Sequence, residues 1–165
     1  MPEEARQRLS LQCGFTLIEI LVVIVILGIA TVLATANLFQ TDEEKLQQES
    51  EKLLAVLQIA RDEAAFGGRV IAVTMTGKEI QFLERDLADP ARWNASAVEG
   101  LKPRTLSDAF SMQLRVGADG AEAKDNHITF LPIGVAAPFD LALRSPAGIQ
   151  KISGDAIGNL RLTKV

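Results

Sequence analysis

An almost unbroken apolar run, Ile20-Leu-Val-Val-Ile-Val-Ile-Leu-Gly-Ile-Ala-Thr-Val-Leu-Ala-Thr-Ala36, begins one residue after a carboxylate, Glu19. A helix that is apolar on every side has no polar face to turn to water, so it needs lipid or other helices around it. Extended to Phe39, the run has Asn37 as its only strongly polar member and meets the length of one transmembrane helix. An ionisable side chain at membrane depth costs roughly 2.5–3.5 kcal/mol at a helix centre and less near an interface, which makes Glu19 a functional candidate by default. Orientation follows from the flanks. Arg6 and Arg8 precede the run and Asp42-Glu43-Glu44 follow it, which favours a cytoplasmic N-terminus and an external C-terminal domain.

The residues before the run narrow the choice of N-terminal signals. A Sec signal peptide carries its apolar segment ahead of a small-residue cleavage site. Ala34-Thr35-Ala36 has that form, but the apolar run is long for a signal peptide and opens beside Glu19. A lipoprotein signal fails on order, because its greasy segment precedes the cysteine, whereas Cys13 comes first. Glu19 also fits a local role. With Thr16 as N-cap it sits at the third helical position of a capping box, near the positive end of the helix dipole.

The pattern Gly14-Phe15-Thr16-Leu17-Ile18-Glu19 followed by apolar residues resembles the class III leader of type IV pilins and type II secretion pseudopilins. The resemblance implies cleavage between Gly14 and Phe15 by a membrane aspartyl peptidase, followed by N-methylation of Phe15. It also implies that Glu19 pairs with the free amine of Phe15, within one subunit or between neighbours, when the N-terminal helices pack into a filament. Cleavage creates the charge that Glu19 needs. Breaking a buried pair is strongly destabilising while the intact pair is tolerable, so the pair is a register device rather than a large source of stability. Gly28 allows close helix approach, though simple tolerance of glycine in lipid explains it equally well.

Beyond the run, Asp42 to Phe66 holds neither proline nor glycine, and Leu46, Ser50, Leu53, Leu57, Ala60 and Ala64 recur in steps of three and four. That spacing places one buried stripe on a helix. Unbroken from Thr16 to Ala65, the helix would extend ~75 Å at 1.5 Å per residue, with Gly67-Gly68 as its stop. After Gly68 the pattern turns to short β-rich runs. Val70–Thr76, Gly77-Lys78 and Glu79–Glu84 read as a hairpin. Phe110, Met112, Leu114 and Val116 alternate along one strand, and His127–Leu131, Phe139–Arg144, Ile149–Ser153 and Asn159–Thr163 supply more. Residues 85–109 read as a mobile or partner-facing loop, with Trp93 anchoring it to the core.

Six or seven strands after one long helix predict an α+β fold, with the helix packed on a small antiparallel, β-sandwich-like head. The predicted boundaries are a leader over 1–14, a membrane or filament-core helix over 15–39, an amphipathic continuation over 40–66 and a periplasmic head over 67–165. In the head, Ile128-x-Phe130-x-Pro132-x-Gly134, Pro138-Phe139 and Gly158-Asn-Leu-Arg-Leu162 resemble the H-type minor pseudopilins and the related fimbrial T/U-type minor pilins. No proline interrupts Phe15–Phe66, unlike the major pseudopilin, and Glu19 sets the chain apart from the large K-type tip subunit, which lacks it.

No catalytic constellation emerges. The chain has one histidine, one cysteine and no tyrosine, and no Gly-x-Ser-x-Gly or phosphate-loop pattern. His127 beside Asn126 and Asp125 reads as a strand-rim residue, and Asp119 and Asp125 read as turn residues before calcium ligands. Cys13 lies in the leader, so a mature chain would hold no disulfide. At a net charge of −4, with no basic stripe, nothing indicates nucleic acid. No cofactor or metal is expected. The resemblance implies an inner-membrane, single-pass subunit of the periplasmic pseudopilus. Its implied partners are other minor and major pseudopilins, the prepilin peptidase/methyltransferase, the inner-membrane assembly platform and secreted cargo. Two alternatives remain: a minor type IV pilin that primes a pilus, and a membrane-anchored extracytoplasmic binding module that keeps its leader.

Overall fold

The computed structural model describes residues 16–36, 41–117, 127–135 and 137–165. Two compact units divide at Gln40 and Thr41, and each is described by itself. The first contains one helix, α1 (Leu17–Ala36). The second contains α2 (Asp42–Gly67) and, among the described residues, ten strands.

In place of the single helix from Thr16 to Ala65, the structure starts a new helix at Asp42. Thr41 is extended, at φ −66° and ψ 155°, and its hydroxyl accepts from the Glu44 amide at 3.2 Å. The Glu44 carboxylate accepts from the Thr41 amide at 3.0 Å. Thr41-Asp-Glu-Glu44 is a reciprocal capping box, worth about 1 kcal/mol at the cap. Its sequence supplies a start signal strong enough to define a separate helix. The other end behaves as expected: Gly68 at φ 63° provides the left-handed cap.

All six residues of the predicted stripe, Leu46, Ser50, Leu53, Leu57, Ala60 and Ala64, are buried along α2. Ser50 satisfies its hydroxyl by donating to the Leu46 carbonyl at 2.8 Å. The stripe packs on two antiparallel sheets, as expected of the fold class. Sheet A has the order β3 (Trp93–Ala95), β2 (Glu79–Arg85), β1 (Ile71–Thr76), β6 (His127–Leu131), β7 (Gly134–Val135), with β4 (Arg104–Thr105) also on β2. Sheet B has the order β10 (Leu160–Lys164), β9 (Gly148–Gly154), β8 (Phe139–Ser145), β5 (Ser111–Val116). The predicted hairpin is β1–β2, with Thr76 opposite Glu79 across a turn whose Gly77 has φ 61°.

Between α2 and the sheets lies one core. Leu53, Leu57, Phe82, Phe130, Leu141 and Ile152 are among its fully buried members. Phe130 of sheet A meets Phe139 of sheet B edge to face, with centroids 6.3 Å apart, and so joins the sheets. Phe139 lies over its register partner Gly154, where any Cβ would overlap the ring.

Residues 85–109 differ from the loop predicted there. Leu101 and Leu106 are buried, β3 and β4 both pair with β2, and Asp86 closes the first turn by accepting from the Ala88 and Asp89 amides. Two buried leucines and two short ladders pin the segment to the head. Trp93 is half-buried, beneath the Arg85 guanidinium at 5.0 Å, rather than in the core.

Candidate functional site

Glu19, singled out in the sequence, lies in the first turn of α1. Its first turn is closed by Thr16, whose carbonyl accepts from the Glu19 amide at 3.0 Å and whose hydroxyl accepts from the same amide at 3.3 Å. That is one arm of the capping arrangement predicted for Thr16 and Glu19. Farther along, Thr31 returns its hydroxyl to the Leu27 carbonyl at 2.7 Å, so a polar group in an apolar helix is satisfied by its own backbone. Gly14 and Phe15 lie outside the described residues, as do Asp119, Asp125 and Asn126. His127 is half-buried at the start of β6, opposite Thr74.

The described side chains of α1 form an apolar surface. Every large apolar side chain from Leu17 to Val32 is exposed, from 45% at Val23 to 84% at Leu17. No polar face accompanies them, and the carboxylate of Glu19 is the one charged group of the helix. A surface of that kind is an interaction surface. Gly28 has no neighbour within 4 Å of where a Cβ would stand, leaving a notch in the helix side. Within the described residues no helix is long and apolar enough to cross a membrane; the described side chains of α1 stop at Val32. The span predicted for Ile20–Phe39 therefore lies partly outside them.

In the head, two of the three perturbed carboxylates close turns and the third pairs with a lysine. Asp86 is held below its usual range first by the Ala88 amide, then by the Asn94 side chain and the Asp89 amide. The Asn159 side chain and amide, and then the Ile157 amide, hold Asp155 low in the same way. Asp108 is lowered by a hydrogen bond from Lys78 at 2.6 Å and by its charge. Among the described residues, no group of three His, Cys, Asp or Glu side chains is placed to hold a metal ion.

This arrangement, a naked apolar helix with one carboxylate in its first turn joined in sequence to a two-sheet head, has close counterparts. The prokaryotic N-terminal methylation motif matches residues 9–35, which spans the predicted cleavage site and most of α1. Type II secretion system protein H of Pseudomonas aeruginosa is 35% identical over 148 residues, covering 82% of this chain and 86% of that protein. The chain belongs to the type II secretion system protein H family.

The H-type minor pseudopilin fold agrees with this assignment. The crystal structure of the minor pseudopilin EpsH from Vibrio cholerae superposes with a TM-score of 0.63 at 16% identity, covering 75% of this chain and 99% of that one. The type IV minor pilin FimU of Pseudomonas aeruginosa shares the fold at a TM-score of 0.52 and 20% identity, covering 74% and 91%. Family membership favours a structural subunit over an enzyme and implies other pseudopilins and a prepilin peptidase as partners.

What sequence reasoning missed lies at the start of α2. The Thr41–Glu44 box was legible as a threonine followed three residues later by glutamate, ahead of an amphipathic run. The side-chain bond from Gln150 of β9 to Gln47 of α2 had no comparable signal, because it joins residues 103 apart in the sequence.

Proposed function

We propose that the chain is a structural subunit at or near the tip of the pseudopilus that helps to export folded proteins across the outer membrane. The observation that carries this reading is α1, a helix apolar on all sides, bearing one carboxylate in its first turn. A helix like that is built to be surrounded, first by lipid and then by sister helices. The apolar sequence from Ile20 to Phe39, in which Asn37 is the only strongly polar residue, supports a single pass through the bacterial inner membrane, with the N-terminus cytoplasmic and the head periplasmic. Residues 1–14 are removed as a leader, 15–39 form the membrane and filament-core helix, 40–66 its amphipathic successor and 67–165 the β-rich head.

In this reading the peptidase cuts between Gly14 and Phe15, and Phe15 receives the methyl group. Glu19 then pairs with a Phe15 amine, which sets the register of each incoming subunit. Other minor and major pseudopilins and the inner-membrane assembly platform are its partners, and the head contacts neighbouring subunits or secreted cargo. A role as a minor type IV pilin is the second reading. FimU favours it through the fold alone, whereas the sequence relative at 35% identity belongs to type II secretion.

Intact mass and N-terminal sequence of membrane-extracted protein, from cells with and without the leader peptidase, test the reading. The expected mature chain begins at methylated Phe15 only when the peptidase is present. A chain that keeps Met1 in both strains would leave an ordinary membrane anchor and remove the assembly mechanism.

A further inference from the structure

The head is electrically polarised. Alternate residues of β5, β8, β9 and β10 point away from the core, and the sheet B register brings Arg115, Arg144, Lys151 and Arg161 onto this outer face with Asp140 as the single acidic side chain among them. Asp140 is already engaged, accepting from the Ser153 hydroxyl at 2.6 Å and facing Lys151 at 3.4 Å. At the centre stands Ala142, whose short side chain leaves a hollow of about 210 Å³ between the longer ones. A cationic trough is thus set into a chain whose net charge is −4. On the other side of the core, α2 carries Asp42, Glu43, Glu44, Glu49, Glu51, Asp62 and Glu63 against Lys45, Lys52 and Arg61, with Glu49 held by Arg104 at 2.6 Å and Glu43 facing Lys164 at 3.7 Å.

We infer that the outer face of sheet B docks the acidic, solvent-facing side of a helix on a neighbouring pilin-like subunit. The inference rests on the filament reading above. Charge complementarity selects an anionic partner. The build of that partner is suggested by this chain itself, whose α2 buries one stripe and leaves Asp42, Glu43, Glu44 and Glu51 exposed. Because the cationic sheet and the acidic helix lie on opposite sides of one core, each subunit can receive a helix on one side and offer one on the other. That is the geometry of a heterologous, head-to-tail contact, which extends along a filament instead of closing a ring.

The test uses the full chain in cells, with p-benzoylphenylalanine in place of Ile149, which lines the hollow. Irradiation is followed by mass spectrometry of the adducts, and the mature N-terminus is read from the same sample. The expected adduct joins the trough to an acid-rich helix of another pilin-like subunit. It falls by at least about tenfold in the double variant Arg144→Glu, Lys151→Glu, and persists in Lys151→Arg, which keeps the charge. Fluorescence of Trp93 in the purified variants reports that the head is folded. Adducts to phospholipid or to secreted cargo, adducts indifferent to charge reversal, or none from a correctly processed chain would overturn the docking face while leaving the filament reading intact. A chain still beginning at Met1 would overturn both.

Discussion

α1 and α2 are of similar length, 20 and 26 residues, yet they solve opposite problems. α2 has one apolar stripe and finds its partner inside its own unit, where Leu53, Leu57, Ala60 and Ala64 are all 0% exposed. α1 is apolar all round, and its large side chains from Leu17 to Val32 are exposed. The hydrophobic effect drives both, but in α2 it stabilises a fold, and in α1 it creates a demand for other molecules. The proposed function therefore rests on α1, while α2 builds the core of the head.

If that division is real, changes in α1 should alter assembly without touching the head, and changes in α2 should do the reverse. The largest effect is expected at Glu19. On the proposed pairing, Glu19→Leu removes the partner of the N-terminal amine and leaves an unpaired charge at each joint, a strongly destabilising state. Membrane insertion and leader cleavage should continue, while incorporation into the filament is lost. Fractionation of membranes and sheared filaments measures both, and normal incorporation would remove the pairing mechanism.

The second effect is in stability. Leu57→Ala deletes a side chain enclosed by the core and should destabilise the head by about 2–5 kcal/mol, depending on how far the cavity collapses. Val25→Ala in α1, at 53% exposure, should leave the head's melting temperature unchanged. Trp93 is the only tryptophan, so its fluorescence in the detergent-solubilised full chain follows the head alone. A large shift from Val25→Ala would break the comparison.

Much of this was legible before any coordinates. The stripe of α2, its glycine stop, the β1–β2 hairpin and the alternation in β5 and β8 are local patterns, and local patterns survive folding when the core agrees with them. The candidate site was legible for the same reason, since Glu19 stands out in one dimension. Two readings failed on competition between local signals. A continuous helix through 37–41 ignored the Thr41 capping box. A loop over 85–109 undervalued Leu101 and Leu106, which are too far apart for any period to reveal and are buried only because β2 offers an edge on which β3 and β4 can pair. The cationic face of sheet B was invisible for a related reason. Its four cations come from β5, β8, β9 and β10, and only the register joins them.

A smaller effect sharpens where α2 begins. Thr41→Ala removes the acceptor for the Glu44 amide and should cost about 1 kcal/mol, read as a lower melting temperature of the head. Thr41→Ser keeps the oxygen and should recover most of the loss. Equal losses in both variants would mean that the cap does not set the boundary and that the helix can run through it.

The smallest effect concerns acid, and it separates two kinds of carboxylate in the head. Asp86, Asp108 and Asp155 all lie below the ordinary value of 3.8 in the folded chain. A group depressed by folding contributes stability that is present above its unfolded pKa and is lost as pH falls through its folded one. Stability from these residues should therefore be flat above about pH 5 and decline below the unfolded value of about 3.8. The causes differ. Backbone and asparagine N–H groups hold Asp86 and Asp155, whereas the Lys78 ammonium holds Asp108. Salt screens a surface ion pair but barely affects a turn's own amide hydrogen bonds. In Trp93-monitored acid titrations, Asp108→Asn should matter only at low ionic strength, whereas Asp86→Asn should flatten the acid limb at every salt concentration.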